Sequence, residues 1–390
     1  MISVEEAKRI MMEHMVRMEG GIVPFDEALG RYAAEDVIAP VDHPLFTCSA
    51  VDGYAFAFDE QREWKVVMEV AAGEAFDGTI RPGECARIFT GAMLPIATDT
   101  VVMQEFVLRD GDLITHTDVR LKKGANVRLQ GEQLRAGAIA HRRGELCSPQ
   151  AIGLLAGSGI TGVHVRTPPR VVVIASGSEF NSGGPLLPGK IFSSNDVMLI
   201  AALRDAGVPA VASQCPDDVA RLASVIRDAI VSADVVITTG GVSVGDHDLI
   251  LPVLKEVGAR IFFHNVAQKP GKPMLFATLN GKPIFGLPGN PRAVMILFWE
   301  YVLPFLHAMQ GATDPWLRSD HLPMTQDLEL KGERAEFRAA KVKEGKVVLL
   351  ADEGSHMLRS LIDADALAYF PAHTRSVRAG DSVEVHYLPR

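Results

Sequence analysis

Short apolar runs alternate with helical patterns from residue 171 onward, and this alternation restricts the possible folds more than any other feature of the sequence. Strand-like runs and helical patterns follow one another at residues 171–175, 197–206, 208–213, 219–232 and 235–239. Short buried strands that alternate with helices form a parallel sheet covered by helices on both faces. We therefore predict a doubly wound α/β domain over residues 168–312, beginning at the linker Thr167-Pro168-Pro169.

Other periodicities flank this region. Ser3 and Glu6 have capping-box spacing, and apolar residues then recur at helical spacing up to Gly20. This pattern predicts a first helix whose methionines, Met11, Met15 and Met18, pack in the core or in a dimer interface. The complete prediction is a multidomain α/β protein with a discontinuous, helical and elongated N-terminal domain (1–60 and 140–167), an inserted small β domain (61–139), the α/β domain, and a C-terminal β barrel (313–390).

Composition and charge exclude several classes of protein. The chain has 39 Lys and Arg against 48 Asp and Glu, a net charge of −9, which disfavours binding to a nucleic-acid backbone. The apolar run 293–306 contains Glu300 and Pro304 and is shorter than the roughly 20 residues of a membrane span. Charged residues stand where a signal peptide has its apolar core, so we expect a cytoplasmic protein without a membrane segment. The four cysteines form no Cys-x-x-Cys pair, which argues against a disulfide framework and a thiolate zinc site.

Polar, glycine-rich loops follow the predicted strands of the α/β domain. One reads Ser176-Gly177-Ser178-Glu179, and the other extends from Thr239 to Asp248 with glycines at 240, 241 and 245. Glycines let backbone amides approach an anion, and carboxylates can hold a divalent cation that neutralises phosphate. Because ligands bind at the carboxyl ends of the strands in such sheets, the loops predict a phosphate ligand with Mg²⁺. Tight turns remain the alternative.

A third loop carries positive charge. Lys269-Pro270-Gly271-Lys272-Pro273 holds two lysines on a stiff frame, which suits a compact oxyanion. Exposed charge is the alternative interpretation of this lysine pair. Asp52, in the turn 49–55, and Thr90, beside Gly91, offer a carboxylate and a hydroxyl, but neither motif specifies a chemistry and either could be a surface turn.

Taken in order, several segments resemble the molybdopterin molybdenumtransferases, the family of the bacterial MoeA proteins and the gephyrin E domain. They lie at residues 34–37, 49–55, 89–92, 240–245, 269–273, 287–291, 355–358 and 364–367. The resemblance implies an elongated homodimer of four-domain chains with the active cleft between the subunits. It also implies an enzyme that releases AMP from adenylylated molybdopterin in a molybdate-dependent step and leaves the metal on the dithiolene of the cofactor.

The resemblance further implies roles for particular residues. The implied catalytic residues are Asp52, Thr90, Glu179 and Asp248, and the implied Mg²⁺ ligands are Glu179, Asp217 and Asp248. The implied substrate-binding residues are Lys269, Lys272, Arg338 and Ser355 for molybdate, and Gly240, Gly241, Ser243, Pro288 and Pro291 for the pterin and its phosphate. Asp217 has an alternative role as the N-cap of the helix that begins at Val219.

Two positions differ from the family pattern, and two other functions remain open. Gln133 and Ser193 stand where carboxylates are frequent in the family. The absence of these two carboxylates would weaken a metal site or change its geometry. The alternatives are an enzyme resembling the molybdopterin adenylyltransferase and a non-catalytic scaffold or sensor that binds molybdopterin. The resemblance names the adenylyltransferase and acceptor molybdoenzymes as partners. The sequence does not distinguish molybdate from tungstate, because the two oxyanions are nearly alike in charge and size.

Overall fold

A six-stranded sheet forms the centre of the computed structural model, which describes residues 1–74, 78–181, 184–242, 249–351, 354 and 356–389. Its strands lie in the spatial order Ala210–Cys215, Val171–Ser176, Val235–Thr239, Lys282–Leu287, Leu275–Leu279 and Arg260–His264. The first four strands are parallel, and the last two are antiparallel additions. The prediction of an α/β sheet is confirmed, but the sheet is mixed. The antiparallel pairing of Leu275–Leu279 with Lys282–Leu287 follows from the hairpin at Asn280-Gly281, where both residues have positive φ.

Helices cover both faces of this sheet. Successive residues of the strand Val171–Ser176 point to opposite cores: Val171 and Val173 pack in one, Ile174 in the other. The first core contains residues of the helices Asn195–Asp205 and Pro291–Met309, and the second contains residues of the helices Val219–Ser232 and Ile250–Glu256. The sheet is therefore doubly wound.

The helix Pro291–Met309 extends beyond the apolar run 293–306 and is long and apolar enough to cross a membrane by length and composition alone. A π-helical turn at Phe298–Val302 precedes Pro304. The helix does not end at this proline but continues through it to Met309. Its most apolar window is 89% buried inside the chain. Burial of this kind is typical of the core helix of a folded protein.

The first helix, Val4–Glu13, is shorter than predicted, since it ends before Met15 and Met18. Ser3 caps it by accepting from the peptide N–H of Glu6 at 3.1 Å. Met11 is fully buried in the core shared with the helix Pro291–Met309, so the methionine pattern gives no support to a dimer interface. Lys8 anchors the helix by donating to the buried Glu300 at 2.8 Å. Burial acts to raise the pKa of Glu300, but Lys8 and His386 outweigh it, so the pKa lies below its usual value.

Residues early in the chain pair with residues near 130–166. The strands Gly20–Pro24, Val37–Ile38 and Cys48–Ser49 pair with Gly162–Arg166, Ile139–His141 and Val127–Arg128, respectively. The helices Phe25–Ala28 and Pro149–Gly157 lie in the same region of the chain. Between these pairings stands a second six-stranded sheet in the order Thr100–Met103, Gly53–Phe56, Glu84–Ile88, Glu63–Val70, Leu113–His116 and Val107–Asp110, with a 3₁₀ turn at Gln104–Phe106.

The last part of the chain forms a curled sheet. Its strands follow the order Gln268–Lys269, Ala335–Lys343, Ala366–Phe370, Ser382–Tyr387 and Ser319–Pro323, and Lys346–Leu349 pairs with Ala335–Lys343. Met324 directly follows the last strand of this order, Ser319–Pro323, and forms an isolated β-bridge with Val347 in the strand Lys346–Leu349. This bridge brings the last strand back to the strand pair near the start of the order. The short strands Leu328–Glu329 and Ser376–Val377 pair beside it, and the helix Arg359–Asp363 precedes Ala366–Phe370. The strand Gln268–Lys269 joins this sheet to the α/β region, because it pairs with Ala335 and Glu336.

Candidate active site

Two glycine-containing loops meet at the carboxyl ends of the parallel strands and form a cleft of about 320 Å³. The described residues that line it are Ser176, Gly177, Glu179, Asp217, Gly240, Gly241, Val242, Pro273, Pro288, Gly289 and Asn290. Gly240 has φ +85°, and a Cβ there would lie 2.2 Å from the carbonyl oxygen of Ser176. Only glycine permits this approach of the two loops. We call this space the glycine cleft.

Two carboxylates lie at the same end of the glycine cleft. The carboxylate of Glu179 lies over Gly177, since a Cβ on Gly177 would be 2.5 Å from its Oε2. Asp217 accepts from the peptide N–H of Ser178 at 3.0 Å, and its own peptide N–H donates to the Ser178 hydroxyl at 3.1 Å. Hydrogen bonds thus hold the predicted ligand Asp217 against Ser178, the residue that precedes the predicted ligand Glu179.

Asp217 is not the cap of the helix Val219–Ser232, so that alternative was wrong. The cap is Asp218, which accepts from the peptide N–H of Arg221 at 2.8 Å. The side chain of Asp217 is consequently available to the cleft that it lines.

Replacing Asp218 by Ala should lower the free energy of unfolding by about 1 kcal/mol, because a helix loses its N-cap acceptor. Asp218→Asn should remain close to wild type, since Asn caps as well as Asp. Urea unfolding of both variants measures the difference. Equal stability of Asp218→Ala and Asp218→Asn would contradict the assignment of the cap.

Two buried polar side chains frame the glycine cleft. Asn195 donates to the Thr239 hydroxyl at 3.0 Å and to the carbonyl of Gly289 at 2.8 Å, which ties two of the loops together. The hydroxyl of Ser176 is buried and has no hydrogen-bond partner among the described residues. An unsatisfied buried hydroxyl costs about 1–3 kcal/mol, which a polar ligand in the cleft would offset.

The lysine loop forms a second cavity of about 300 Å³, which we call the lysine pocket. The described residues that line it are Lys269, Pro270, Gly271, Lys272, Pro273, Pro288, Asn290, Arg292, Ala293, Arg334, Glu336, Phe337 and Arg338. The buried Gln268 stiffens the loop by donating to the carbonyl of Pro270 at 2.8 Å and accepting from the hydroxyl of Tyr301. At Gly271, with φ +88°, a Cβ would lie 2.9 Å from Leu297.

The two cavities adjoin, because Pro273, Pro288 and Asn290 line both of them. Acidic side chains stand on the side of the glycine cleft, and the lysine pocket is mainly cationic. A ligand with a phosphate group could therefore lie next to a small oxyanion.

The structure brings together many of the predicted site residues but not all. Lys269, Lys272 and Arg338 line the lysine pocket, Gly240 and Gly241 line the glycine cleft, and Pro288 lines both. Pro291 lines neither cavity and is the first residue of the helix Pro291–Met309. Ser243, Asp248 and Ser355 lie outside the described residues. Within the described part of the chain, no three His, Cys, Asp or Glu side chains are close enough to hold a metal ion.

Asp52 and Thr90 form a separate pair on the sheet that contains Gly53–Phe56. The peptide N–H and the hydroxyl of Thr90 both donate to Oδ1 of Asp52, at 2.8 and 2.7 Å. These hydrogen bonds, and to a smaller extent Arg87, lower the pKa of Asp52. Neither residue lines the glycine cleft or the lysine pocket.

The two departures from the family pattern line neither of the two cavities. Ser193 donates to Asp196 at 2.7 Å. Burial alone would raise the pKa of Asp196, but hydrogen bonds from Gln214 and Ser193 lower it. Gln133 is exposed, and its peptide N–H donates to the carbonyl of His43 at 3.1 Å. Neither side chain lines a cavity that contains the predicted site residues.

Sequence reasoning missed Arg292, Arg334 and Glu336. Glu336 and Arg338 lie two residues apart on the strand Ala335–Lys343, so their side chains share a face, and Arg334 immediately precedes this strand. This alternation of charge was a detectable signal. Arg292 is 1% exposed and donates to Ser360, a contact that the sequence does not reveal.

Comparisons with known proteins agree along the whole chain. Three protein-family profiles match: "MoeA N-terminal region (domain I and II)" at residues 2–159, "Probable molybdopterin binding domain" at 172–308, and "MoeA C-terminal region (domain IV)" at 321–388. A molybdopterin molybdenumtransferase of Staphylococcus epidermidis is 34% identical over 98% of this chain and 95% of its own length. Molybdopterin molybdenumtransferase 2 of Mycobacterium tuberculosis is 33% identical over 99% of both chains. The crystal structure of a MoeA protein from Pyrococcus horikoshii OT3 superposes with a TM-score of 0.84 at 27% identity and covers all of both chains.

Proposed function

This chain belongs to the MoeA family of molybdopterin molybdenumtransferases, and we propose that its two adjoining cavities hold the two substrates of that reaction. The protein is a transferase of molybdenum cofactor biosynthesis. In the proposal, adenylylated molybdopterin lies in the glycine cleft and molybdate lies in the lysine pocket. The observation that carries it is the junction of the cavities at Pro273, Pro288 and Asn290.

The glycine cleft suits the phosphates of the nucleotide substrate. Backbone groups at Gly240 and Gly241 can approach a phosphate closely because no Cβ intervenes, and the unsatisfied hydroxyl of Ser176 is positioned to donate. Glu179 and Asp217 fit Mg²⁺, which proteins usually hold with one or two carboxylates plus substrate phosphates. Asp248 is the third ligand in this proposal. A bound Mg²⁺ would neutralise phosphate charge as AMP leaves.

The lysine pocket suits molybdate. Lys269 and Lys272 are compact point charges on a stiff loop, and Arg338 presents a planar set of donors from the last sheet. These groups hold the oxyanion next to the cleft, so that the metal can pass to the dithiolene of the neighbouring pterin. Molybdate and tungstate are nearly alike in charge and size, so the same groups would hold either oxyanion.

The separation of Asp52 and Thr90 from both cavities supports a homodimer, in which this pair reaches the cavities of the other chain. We also propose that the chain has the four domains predicted from the sequence, at residues 1–60 with 140–167, 61–139, 168–312 and 313–390. The bridge between Met324 and Val347 supports a C-terminal barrel. The adenylyltransferase and acceptor molybdoenzymes would be cytoplasmic partners, and the net charge of −9 disfavours nucleic acid.

The adenylyltransferase and scaffold alternatives are not favoured, because the near full-length relatives carry the name molybdenumtransferase. Purified protein given adenylylated molybdopterin, Mg²⁺ and molybdate should release AMP, and omission of molybdate should prevent release. AMP release that does not depend on molybdate would refute the proposed function.

Mixed dimers test the shared site. Asp52→Ala and Lys272→Ala homodimers should both be impaired, but in a mixed dimer one cavity combines an intact lysine loop with an intact Asp52. Co-expression with two different tags should restore AMP release to about a quarter of all sites under random pairing. No recovery in purified mixed dimers, or a monomer in sedimentation, would contradict the two-chain site.

A further inference from the structure

One carboxylate stands inside the lysine pocket. Among the described lining residues Glu336 is the only acid, against the cations Lys269, Lys272, Arg292, Arg334 and Arg338. Glu336 is 6% exposed. A fixed negative charge repels a bound oxyanion, so its presence in a pocket for molybdate calls for an explanation.

Glu336 holds its two partners unequally. Its Oε2 accepts from Nε and Nη2 of Arg338 at 3.0 and 2.8 Å, and the Arg338 side chain is 18% exposed. The ammonium of Lys269 lies 3.8 Å from the same oxygen, and the side chain of Lys269 is 52% exposed. An exposed ion pair of this length contributes little to the free energy of folding. The partly buried contact with Arg338, made by two charge-assisted hydrogen bonds, is the stronger of the two.

The backbone fixes Glu336 and leaves the lysine side chain free to turn. Glu336 pairs with Lys269 in the parallel register and with Phe370 on its other side, so it lies in the interior of a sheet. Its carboxylate is held in the pocket by the two hydrogen bonds that it accepts from Arg338. The four-carbon side chain of Lys269, by contrast, can change partner through rotamer changes alone.

We propose that Glu336 is an internal counter-anion that sets the affinity of the lysine pocket for its oxyanion. Without an oxyanion its single negative charge is shared between Lys269 and Arg338. When the oxyanion binds, Lys269 turns from Glu336 to the oxyanion, and the remaining carboxylate weakens binding by repulsion. Molybdate thus stays exchangeable enough to be passed to the pterin. Glu336 is a positioning residue in this inference, which rests on the proposed function of the pocket.

The test measures molybdate affinity directly. Isothermal titration of molybdate alone into the full-length protein should give a Kd for Glu336→Gln that is about tenfold lower than wild type. The KM for molybdate in AMP release should fall similarly, without a rise in kcat. Glu333→Gln is the matched control, because Glu333 is exposed, does not line the pocket and changes net charge equally. Its Kd should remain that of wild type.

A merely structural Glu336 would give the opposite result, since loosened cations bind molybdate more weakly. Unchanged or weaker binding by Glu336→Gln therefore overturns the inference. If that variant does not fold in a thermal melt, Glu336→Asp decides, because the shorter side chain withdraws the charge and should tighten binding by a smaller factor. No molybdate binding by the wild type, with no AMP release, would instead refute the proposed function.

Discussion

Glu179→Gln is expected to reduce the rate of AMP release by roughly 10²–10³ with little change in thermal stability. The carboxylate of Glu179 lies over Gly177 at the end of the glycine cleft, where the proposed Mg²⁺ and the leaving phosphate would meet. Its side chain is exposed, so its removal exposes no core. AMP release at saturating substrates, together with a thermal melt, separates the two effects.

A neighbouring pair of acids supplies the matched control for this prediction. Asp217→Asn should lose activity as Glu179→Gln does, whereas Asp218→Asn removes the same charge one residue later and keeps the helix cap. Activity of the impaired variants should rise more steeply with Mg²⁺ than that of wild type, because fewer ligands hold the ion. Normal turnover in Glu179→Gln and Asp217→Asn would show that these carboxylates do not form the metal site.

Local patterns predicted the α/β region well, because its strands and helices are separated by few residues and its faces obey simple periodicities. The helix Val219–Ser232 and the strand Val235–Thr239 have the predicted bounds. The pattern failed at the strand Ala210–Cys215, which begins two residues later than predicted. This edge strand has a mostly exposed face, so its apolar signal is weak.

At the first helix, the apolar repeat in the sequence extends further along the chain than the helix itself. Met15 and Met18 continue the apolar repeat past the end of the helix at Glu13. Both still pack against the same core, but from irregular backbone. Periodicity therefore predicted their burial and not their conformation, since the surface that covers them is distant in sequence.

The site was predictable where one loop carries its chemistry and was not where distant segments combine. The lysine loop and the glycine loops were found from local composition. Glu336 enters the lysine pocket because its strand pairs with Gln268–Lys269, almost 70 residues earlier, and no local signal specifies that pairing. Arg338 was placed there only by resemblance, and the same strand explains its position. The capping preference of Asp misled us at Asp217, since two adjacent aspartates compete for that role.

Lys272→Ala should raise the molybdate concentration needed for half-maximal AMP release by roughly ten- to a hundredfold, the loss expected for one charge-assisted contact of about 1.5–3 kcal/mol. Binding of adenylylated molybdopterin should remain almost intact, because the glycine cleft supplies its own backbone and hydroxyl contacts.

Lys269→Ala should have a smaller effect than Lys272→Ala, and the reason is the carboxylate of Glu336 beside Lys269. Lys269 faces the carboxylate of Glu336, so part of the lysine charge is already neutralised. Lys272 makes no salt bridge within the described part of the chain. Removing Lys269 therefore removes less net attraction for a dianion than removing Lys272. Titration of molybdate at saturating nucleotide substrate gives the response of each variant, and Lys331→Ala, outside the pocket, controls for general charge. An unchanged molybdate response in both pocket variants would exclude this loop as the oxyanion site. A larger effect at Lys269 than at Lys272 would instead show that Glu336 does not neutralise its neighbour.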